Sequence, residues 1–493
     1  MAFTFRPPRS CSRCAVAALT SLWVAACSLD PRYVRPDAPV MSAYPRGPAY
    51  GNNVADTDHS PAAAADLGWR DFLTDPRLQQ LMEIALQNNR DLHVAVLNVQ
   101  ELQAEFRIQS AALLPEVSAF ADHTRSRTPA DLSPKGRSTT EGSYSVGASL
   151  GWELDVFGRL RSLRRAALEQ YFASMEGHRA AEILLVSQVA DQYLSMLAFD
   201  ELLDVTERTL ETARASYQIV KLQFDTGTAS ELDLRQSETV VEQAQANHAA
   251  QLRARAQAEN GLALLLGQPL PAATQPGLRF GEQHLLEDIP AGLPSALLSR
   301  RPDVLQAEAL LRSANADVGA ARAAFFPRIQ LTGNAGTASA ALSGLFKAGS
   351  SAWSWAPAVS MPMFDAGANR ANLDAANVRK QIGIAQYEKA IQSAFREVAD
   401  GLAARGTFND QIVSLERSAA AERRRLDLAQ LLYKNGQASY LDVLTAQTDL
   451  YAAELVLVSV RLQRLTNLVD LYRALGGGWL EHTGDEPRRG NAS

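Results

Sequence analysis

Cys27 is the residue best placed for covalent chemistry in this chain of 493 residues. An apolar run from Ala15 to Ala26 precedes it, and ahead of that run lie Arg6, Arg9 and Arg13 with no acid. This pattern is a secretory signal, too short to stay in a bilayer as a span. Its end, Val24-Ala25-Ala26-Cys27, resembles a bacterial lipobox, in which the thiol takes a lipid and the cysteine becomes the new N-terminus. Ser28, rather than Asp, follows the cysteine, which sorts such a lipoprotein to the outer membrane. Cys11 and Cys14 spell C-x-x-C but fall within the removed segment, so the mature chain keeps one thiol and forms no internal disulfide.

The other residues that could do chemistry lack the spacing for it. His59, His93, His123, His178, His248, His284 and His482 are scattered without ligand intervals, so no metal is expected. No Walker motif or phosphate-cradling loop occurs; Gly476-Gly477-Gly478 ends the last helix. The expectation is a non-enzyme without a cofactor. The formal charge of −6 becomes −9 once the three signal arginines are gone, which argues against nucleic acid as a partner. Ser230 with Asp233 and Ser439 with Asp442 have the S-x-x-D spacing of a helix-capping box, directly after Gly227 and Gly436. These are helix-to-helix turns, and capping is the favoured role of both aspartates.

The elements that carry these turns are written twice. Asn89-Arg90-Asp91 and Arg301-Pro302-Asp303 each open a helical stretch, ending Leu114-Pro115 and Phe326-Pro327. Phe224 to Asp233 matches Tyr433 to Asp442, and Leu264 to Gly267 matches Arg473 to Gly476, at one offset of 209. No proline occurs from 135 to 268 or from 363 to 486, so long helices are permitted over 158–225, 231–266, 366–435 and 440–475. Each of the longer pair would reach about 100 Å, more than any compact core needs. Leu441, Leu444, Thr448, Tyr451, Leu455, Val458, Leu462, Leu465, Val469 and Tyr472 follow 3,4 spacing, the seam of a coiled coil.

Each half also contains a stretch of period two. Tyr144, Val146, Ala148, Leu150, Trp152 and Leu154 alternate with small or polar residues, as do Trp353, Trp355, Pro357, Val359 and Met361. This predicts hairpins over 116–154 and 328–364, with the strand over 116–125 assigned by symmetry, and loops over 125–142 and 337–351. Ten-residue alternating segments with aromatic ends are the mark of transmembrane strands. Four strands cannot close a barrel, and hydrocarbon tolerates no open edge. Other copies must close it; two would give eight strands and three would give twelve.

The chain resembles the TolC/OprM-like outer-membrane factor family, in its lipoprotein branch serving RND-type efflux pumps. The resemblance rests on Pro31-Arg-Tyr-Val-Arg-Pro36, Trp152-Glu-Leu-Asp-Val-Phe-Gly-Arg159, Arg300-Arg-Pro-Asp-Val304 with Ala307-Glu308, and Gly436 through Gln447. It implies a mostly α fold with a small β part: a homotrimer whose 12-stranded barrel crosses the outer membrane and whose long α-helical barrel enters the periplasm. The layout is a signal at 1–26, an equatorial segment at 27–75, repeats at 76–267 and 301–476, a linker at 268–300 and a tail at 477–493. The implied function is a passive exit duct, fed by an inner-membrane RND transporter through a periplasmic adaptor and anchored in outer-membrane lipid.

On this resemblance the adaptor meets the tips, here Gly227, Ser230, Leu232, Asp233, Gly436, Ser439, Leu441 and Asp442. A leucine early in the last helix and an aspartate four residues on form the family's gate; here they are Leu441 and Thr445, so the acid is replaced, and Leu441 is read either as a hydrophobic ring or as a heptad core residue. Glu153, on the polar strand face, is a candidate for lining the duct. A protein-secretion channel and a pore-less periplasmic strut are the alternatives, and the strands argue against the strut. The exported substrate is not written in the chain.

Overall fold

The structure, a computed structural model, describes residues 29–50, 64–134, 136–271, 275–286 and 294–485. Cys27 and the signal lie outside the described residues. Nine helices are seen among them: α1 Trp69–Phe72, α2 Pro76–Asn88, α3 Arg90–Ala111, α4 Arg159–Asp225, α5 Glu231–Leu266, α6 Pro294–Arg300, α7 Pro302–Ala323, α8 Ala368–Lys434 and α9 Tyr440–Ala474. The strands are β1 Glu116–Thr128, β2 Thr139–Leu154, β3 Arg328–Ser339 and β4 Ser351–Ser360. α4 and α8 are each 67 residues long.

Two compact units divide the chain. The first takes residues 29–37, 98–174 and 306–387, and includes the sheet. That sheet is an antiparallel meander in the order β1-β2-β3-β4, so the two repeats join where β2 pairs with β3, and β1 and β4 are left as edges. Strand pairing reaches Thr128 opposite Thr139 and Thr337 opposite Ser351. The turns are therefore 129–138 and 340–350, shorter than the loops read from the sequence, because the ladder continues through residues whose polarity had suggested its end. Residues 29–37, placed with the equatorial segment on sequence grounds, belong to this unit through side-chain contacts described below.

The second unit holds the helix hairpins α4–α5 and α8–α9 and the segments around them. Its core includes Phe72, Leu78, Met82, Leu194, Leu262, Leu266 and Tyr472, all fully buried. Asp75 ties three stretches together. It caps α2 through the Arg77 amide at 2.8 Å, and accepts from Tyr193 Oη at 2.9 Å, the Leu278 amide at 3.1 Å and Gln283 Nε2 at 2.7 Å. The repeat is visible in how helix ends are closed: Asn89 donates to the Leu265 carbonyl at the end of α5, and Arg301 to the Ala474 carbonyl at the end of α9, both at 2.9 Å. Arg301 also pairs with Asp303 and Glu397, which explains the Arg-Arg-Pro-Asp motif as a buried brace.

The seam of α9 departs from the sequence reading at one end. Val458, Leu465, Val469 and Tyr472 are buried, but Leu441 and Thr448 are exposed. Near the turn the buried stripe is Tyr440, Val443, Leu444 and Gln447. Leu441 is thus not a core residue of the protomer.

Candidate functional site

The two turns are built alike. Gly227 and Gly436 have φ of 77° and 70°. The amide of Gly227 donates to the Phe224 carbonyl at 2.9 Å and that of Thr228 to Gln223 at 2.8 Å. In the second turn Gly436 donates to Tyr433 at 3.0 Å and Gln437 to Leu432 at 2.9 Å. Each pair is a Schellman closure, which satisfies carbonyls that a helix end leaves open. The next helix then starts on a capping box: Asp233 Oδ2 accepts from the Ser230 amide at 3.2 Å, and Asp442 Oδ2 from the Ser439 amide at 3.0 Å. Both aspartates are thereby engaged in holding their turns.

The turns are fastened to one another. Val220, Leu426, Ala429, Tyr440, Val443, Leu444 and Ala446 form one buried cluster drawn from α4, α8 and α9. Tyr433 Oη donates to Gln223 Oε1 at 2.5 Å, and its ring lies 5.3 Å from that of Tyr440. Burial, then the Tyr433 phenol beside it, pushes the Tyr440 hydroxyl up to about 12, so it stays neutral. This tie was missed in the sequence, although Tyr433 and Phe224 occupy equivalent repeat positions and could have drawn attention to it.

Leu232 and Leu441, by contrast, are 66% and 56% exposed. Leu441, Thr445 and Thr448, at i, i+4 and i+7, share one open face of α9. Thr445 Oγ1 donates to its own helix at the Leu441 carbonyl, 2.8 Å away. The two acids nearest them along α9 are engaged: Asp442 caps the helix through Ser439, and Asp449 pairs with Arg425 at 2.7 Å.

The sheet has two unlike faces. On one, the register aligns Val117, Leu150, Gly333 and Trp355, then Ala119, Ala148, Ala335 and Trp353; Trp152, Leu331 and Pro357 continue it. The opposite face carries Ser118, Ser149, Asn334 and Ser354 in one row. From Tyr144 to Leu154 the strand covers about 33 Å, or about 25 Å at the usual barrel tilt, the height of a hydrocarbon band. All of β4 is exposed in the protomer, including Trp353 at 80%. Glu153 does not project as a free charge from the polar face. Arg159 clasps it with Nε at 3.0 Å and Nη2 at 2.8 Å, while Asp155 accepts from the Leu160 and Arg161 amides to start α4. The Trp-Glu-Leu-Asp-Val-Phe-Gly-Arg motif is the corner from strand to helix.

Among the described residues no three His, Cys, Asp or Glu side chains gather as a metal site. The arrangement offers an amphipathic sheet with two open edges and a pair of long helical hairpins.

Comparison with known proteins agrees with this geometry. The family model described as outer membrane efflux protein matches twice, over residues 81–268 and 293–477, one match for each repeat. The toluene efflux pump outer membrane protein TtgC of Pseudomonas putida is 45% identical over 470 residues, covering 95% of this chain and 96% of the relative. OprJ, an outer membrane protein of Pseudomonas aeruginosa, is 43% identical over 478 residues, covering 97% and 98%. The open-state crystal structure of the MtrE outer membrane channel of Neisseria gonorrhoeae superimposes with a TM-score of 0.82 at 40% identity, over 93% of this chain and all of that one. The chain belongs to the outer membrane efflux protein family, and its function is that of an outer-membrane efflux channel.

Proposed function

We propose that three copies of the chain close their sheets edge to edge into a 12-stranded barrel, the exit duct of an RND-type tripartite pump. The observation that carries this reading is the sheet itself, apolar on one face, polar on the other and open at β1 and β4. In hydrocarbon every unpaired backbone group costs several kcal/mol, so the edges need partners, and a second copy offers complementary ones. Solutes pass through a lumen lined by the polar face without a chemical step.

The turns at Gly227, Ser230, Leu232, Asp233 and at Gly436, Ser439, Leu441, Asp442 are proposed as the surface for a periplasmic adaptor, which links the duct to an inner-membrane transporter. Their exposed leucines beside rigidly capped backbone support a docking role. Leu441 and Thr445 form the gate, an apolar constriction without a charge ring. A lipid on Cys27 anchors the assembly. The cargo is small organic molecules, in keeping with a relative named for toluene efflux.

The test is accumulation of a fluorescent efflux substrate in cells lacking the chain. Restored wild-type protein is expected to lower accumulation, and Gly436→Val to leave it high while the protein still inserts in the outer membrane. Unchanged accumulation with and without the chain would overturn the reading.

A further inference from the structure

We propose that residues 29–37 act as a measured strap: an extended segment docked in one register along α7, which fixes where the N-terminus leaves the protein, with Glu308 setting the register. Its consequence for the lipid rests on the Cys27 reading above, but the docking itself does not.

The strap meets α7 at Glu308, Arg312, Asn315, Gly319 and Arg322, a spacing of 4, 3, 4 and 3 that marks a single helix face. At one end the Glu308 side chain is 3% exposed. It accepts from Tyr33 Oη at 3.1 Å, Arg35 Nε at 3.0 Å and Arg312 Nη2 at 2.8 Å, and Arg35 also binds its second oxygen. Burial opposes ionisation of this carboxyl, but the Arg35 and Arg312 guanidinium groups outweigh burial and hold its pKa below the ordinary value. Arg312 also lies over the Tyr33 ring, 5.4 Å from its centroid. Without the strap, Glu308 would keep its position on α7 and lose Tyr33 and Arg35, leaving a charge poorly compensated.

At the other end Asp30 accepts from Ser162 Oγ at 2.5 Å and pairs with Arg165 at 2.8 Å. It lies against Gly319, where any Cβ would overlap its carboxylate. Between the two ends Asn315 Nδ2 donates to the Pro31 carbonyl at 2.8 Å, and Arg322 Nη1 reaches the Leu29 carbonyl at 3.4 Å. The strap therefore runs antiparallel to α7.

The lengths agree. From Glu308 to Arg322 the helix rises about 21 Å, and the six residue steps from Leu29 to Arg35 cover about 20 Å when extended. Pro31 and Pro36 keep the segment extended. There is no slack, so an added residue inside the strap cannot leave both ends docked. Arg322 is next to the end of α7, and β3 begins at Arg328. Cys27 precedes Leu29 by two residues in the sequence, so a lipid on it is tethered to the end of the strap that is docked beside Arg322.

Hydrogen exchange, read by mass spectrometry on the purified full chain, tests the strap. Glu308→Ala is expected to speed exchange of the amides in 29–37 at least tenfold and to leave the sheet unchanged. Should that variant not assemble, Tyr33→Phe combined with Arg35→Leu, which leaves α7 intact, carries the same expectation. Inserting Gly-Ser between Arg32 and Tyr33 should free one end, whereas the same pair between Ser28 and Leu29 should leave protection at the wild-type level. Equal exchange for the two insertions, or strap exchange unaltered by loss of Glu308 or of its strap partners, would overturn the proposal. So would loss of protection on Cys27→Ser alone, because the lipid and not α7 would then hold the segment. An N-terminal peptide found without a lipid while the strap stays protected would sink the lipid reading and leave the strap standing.

Discussion

Alanine at Gly436 and at Gly267 should have unequal costs although the two backbones match. Their φ values are 70° and 68°, both left-handed. Around Gly436 nothing lies within 4 Å of where a Cβ would stand, whereas at Gly267 it would overlap the Asn88 carbonyl. At Gly436 the cost is backbone strain alone, roughly 1–2 kcal/mol, offset by about 0.5 kcal/mol from the less flexible unfolded chain. The net of about 1 kcal/mol speeds exchange of the amides in that turn about fivefold. At Gly267 the same strain adds to an overpacking cost of roughly 1–3 kcal/mol, so the net is roughly 3 kcal/mol and the change exceeds a hundredfold. Hydrogen exchange of the α8–α9 turn and of the junction between α5 and α2 reads both. Gly227→Ala is the internal control, expected to follow Gly436→Ala. If Gly436→Ala proved as damaging as Gly267→Ala, the turn would not be the open, self-contained cap described.

Three further outcomes are expected. Asp191 is pushed up to about 7, first by burial, then by the nearby Asp470 charge, with Arg473 opposing. A carboxyl raised this way holds its proton longer in the folded state, so stability falls as pH rises from about 4 to about 7 and is level above. Asp191→Asn should remove that slope, raising stability at pH 8 by up to about 4 kcal/mol in denaturant titrations, and an unchanged slope would refute the assignment. Leu441→Ser should raise single-channel conductance in planar bilayers from a low closed level, with weak block by divalent cations; strong native block abolished by changing Asp442 or Asp449 would place an acidic ring where none is drawn. Cysteines at Ser138 and Ser343, both exposed in the turns of the sheet, should react with an impermeant label on intact cells, and protection of both would reverse the orientation of the strands.

The parts legible in the sequence were those fixed by local rules. Absence of proline permitted the 67-residue helices, and Gly with S-x-x-D located both turns. Period two located β2 and β4. β1 needed symmetry, because His123, Arg125 and Arg127 fall on the face that carries Val117, Ala119 and Ala121, opposite Tyr144, Gly142 and Thr140. The α9 seam failed at its turn for a geometric reason. A strict 3,4 pattern drifts about 20° per heptad against a straight helix; carried from Leu465 back to Leu441 this is about 70°, most of one residue, and it moves burial from Leu441 to Tyr440. Asp75 and the strap were invisible because their partners lie far along the chain, Tyr193 for Asp75 and Glu308 for Arg35. Nothing in the local pattern around Glu308 separates a buried acid that waits for two N-terminal partners from one on a solvated helix face.

The most direct test of a duct closed by copies of this chain is cross-linking between its open edges in isolated outer membranes. With one cysteine on β1 at Ala121 and one on β4 at Trp355, a flexible bifunctional thiol reagent should give bands of one, two and three chains and none larger. Either single-cysteine variant should give far less. Monomers alone, or a ladder continuing past three, would contradict a three-copy barrel.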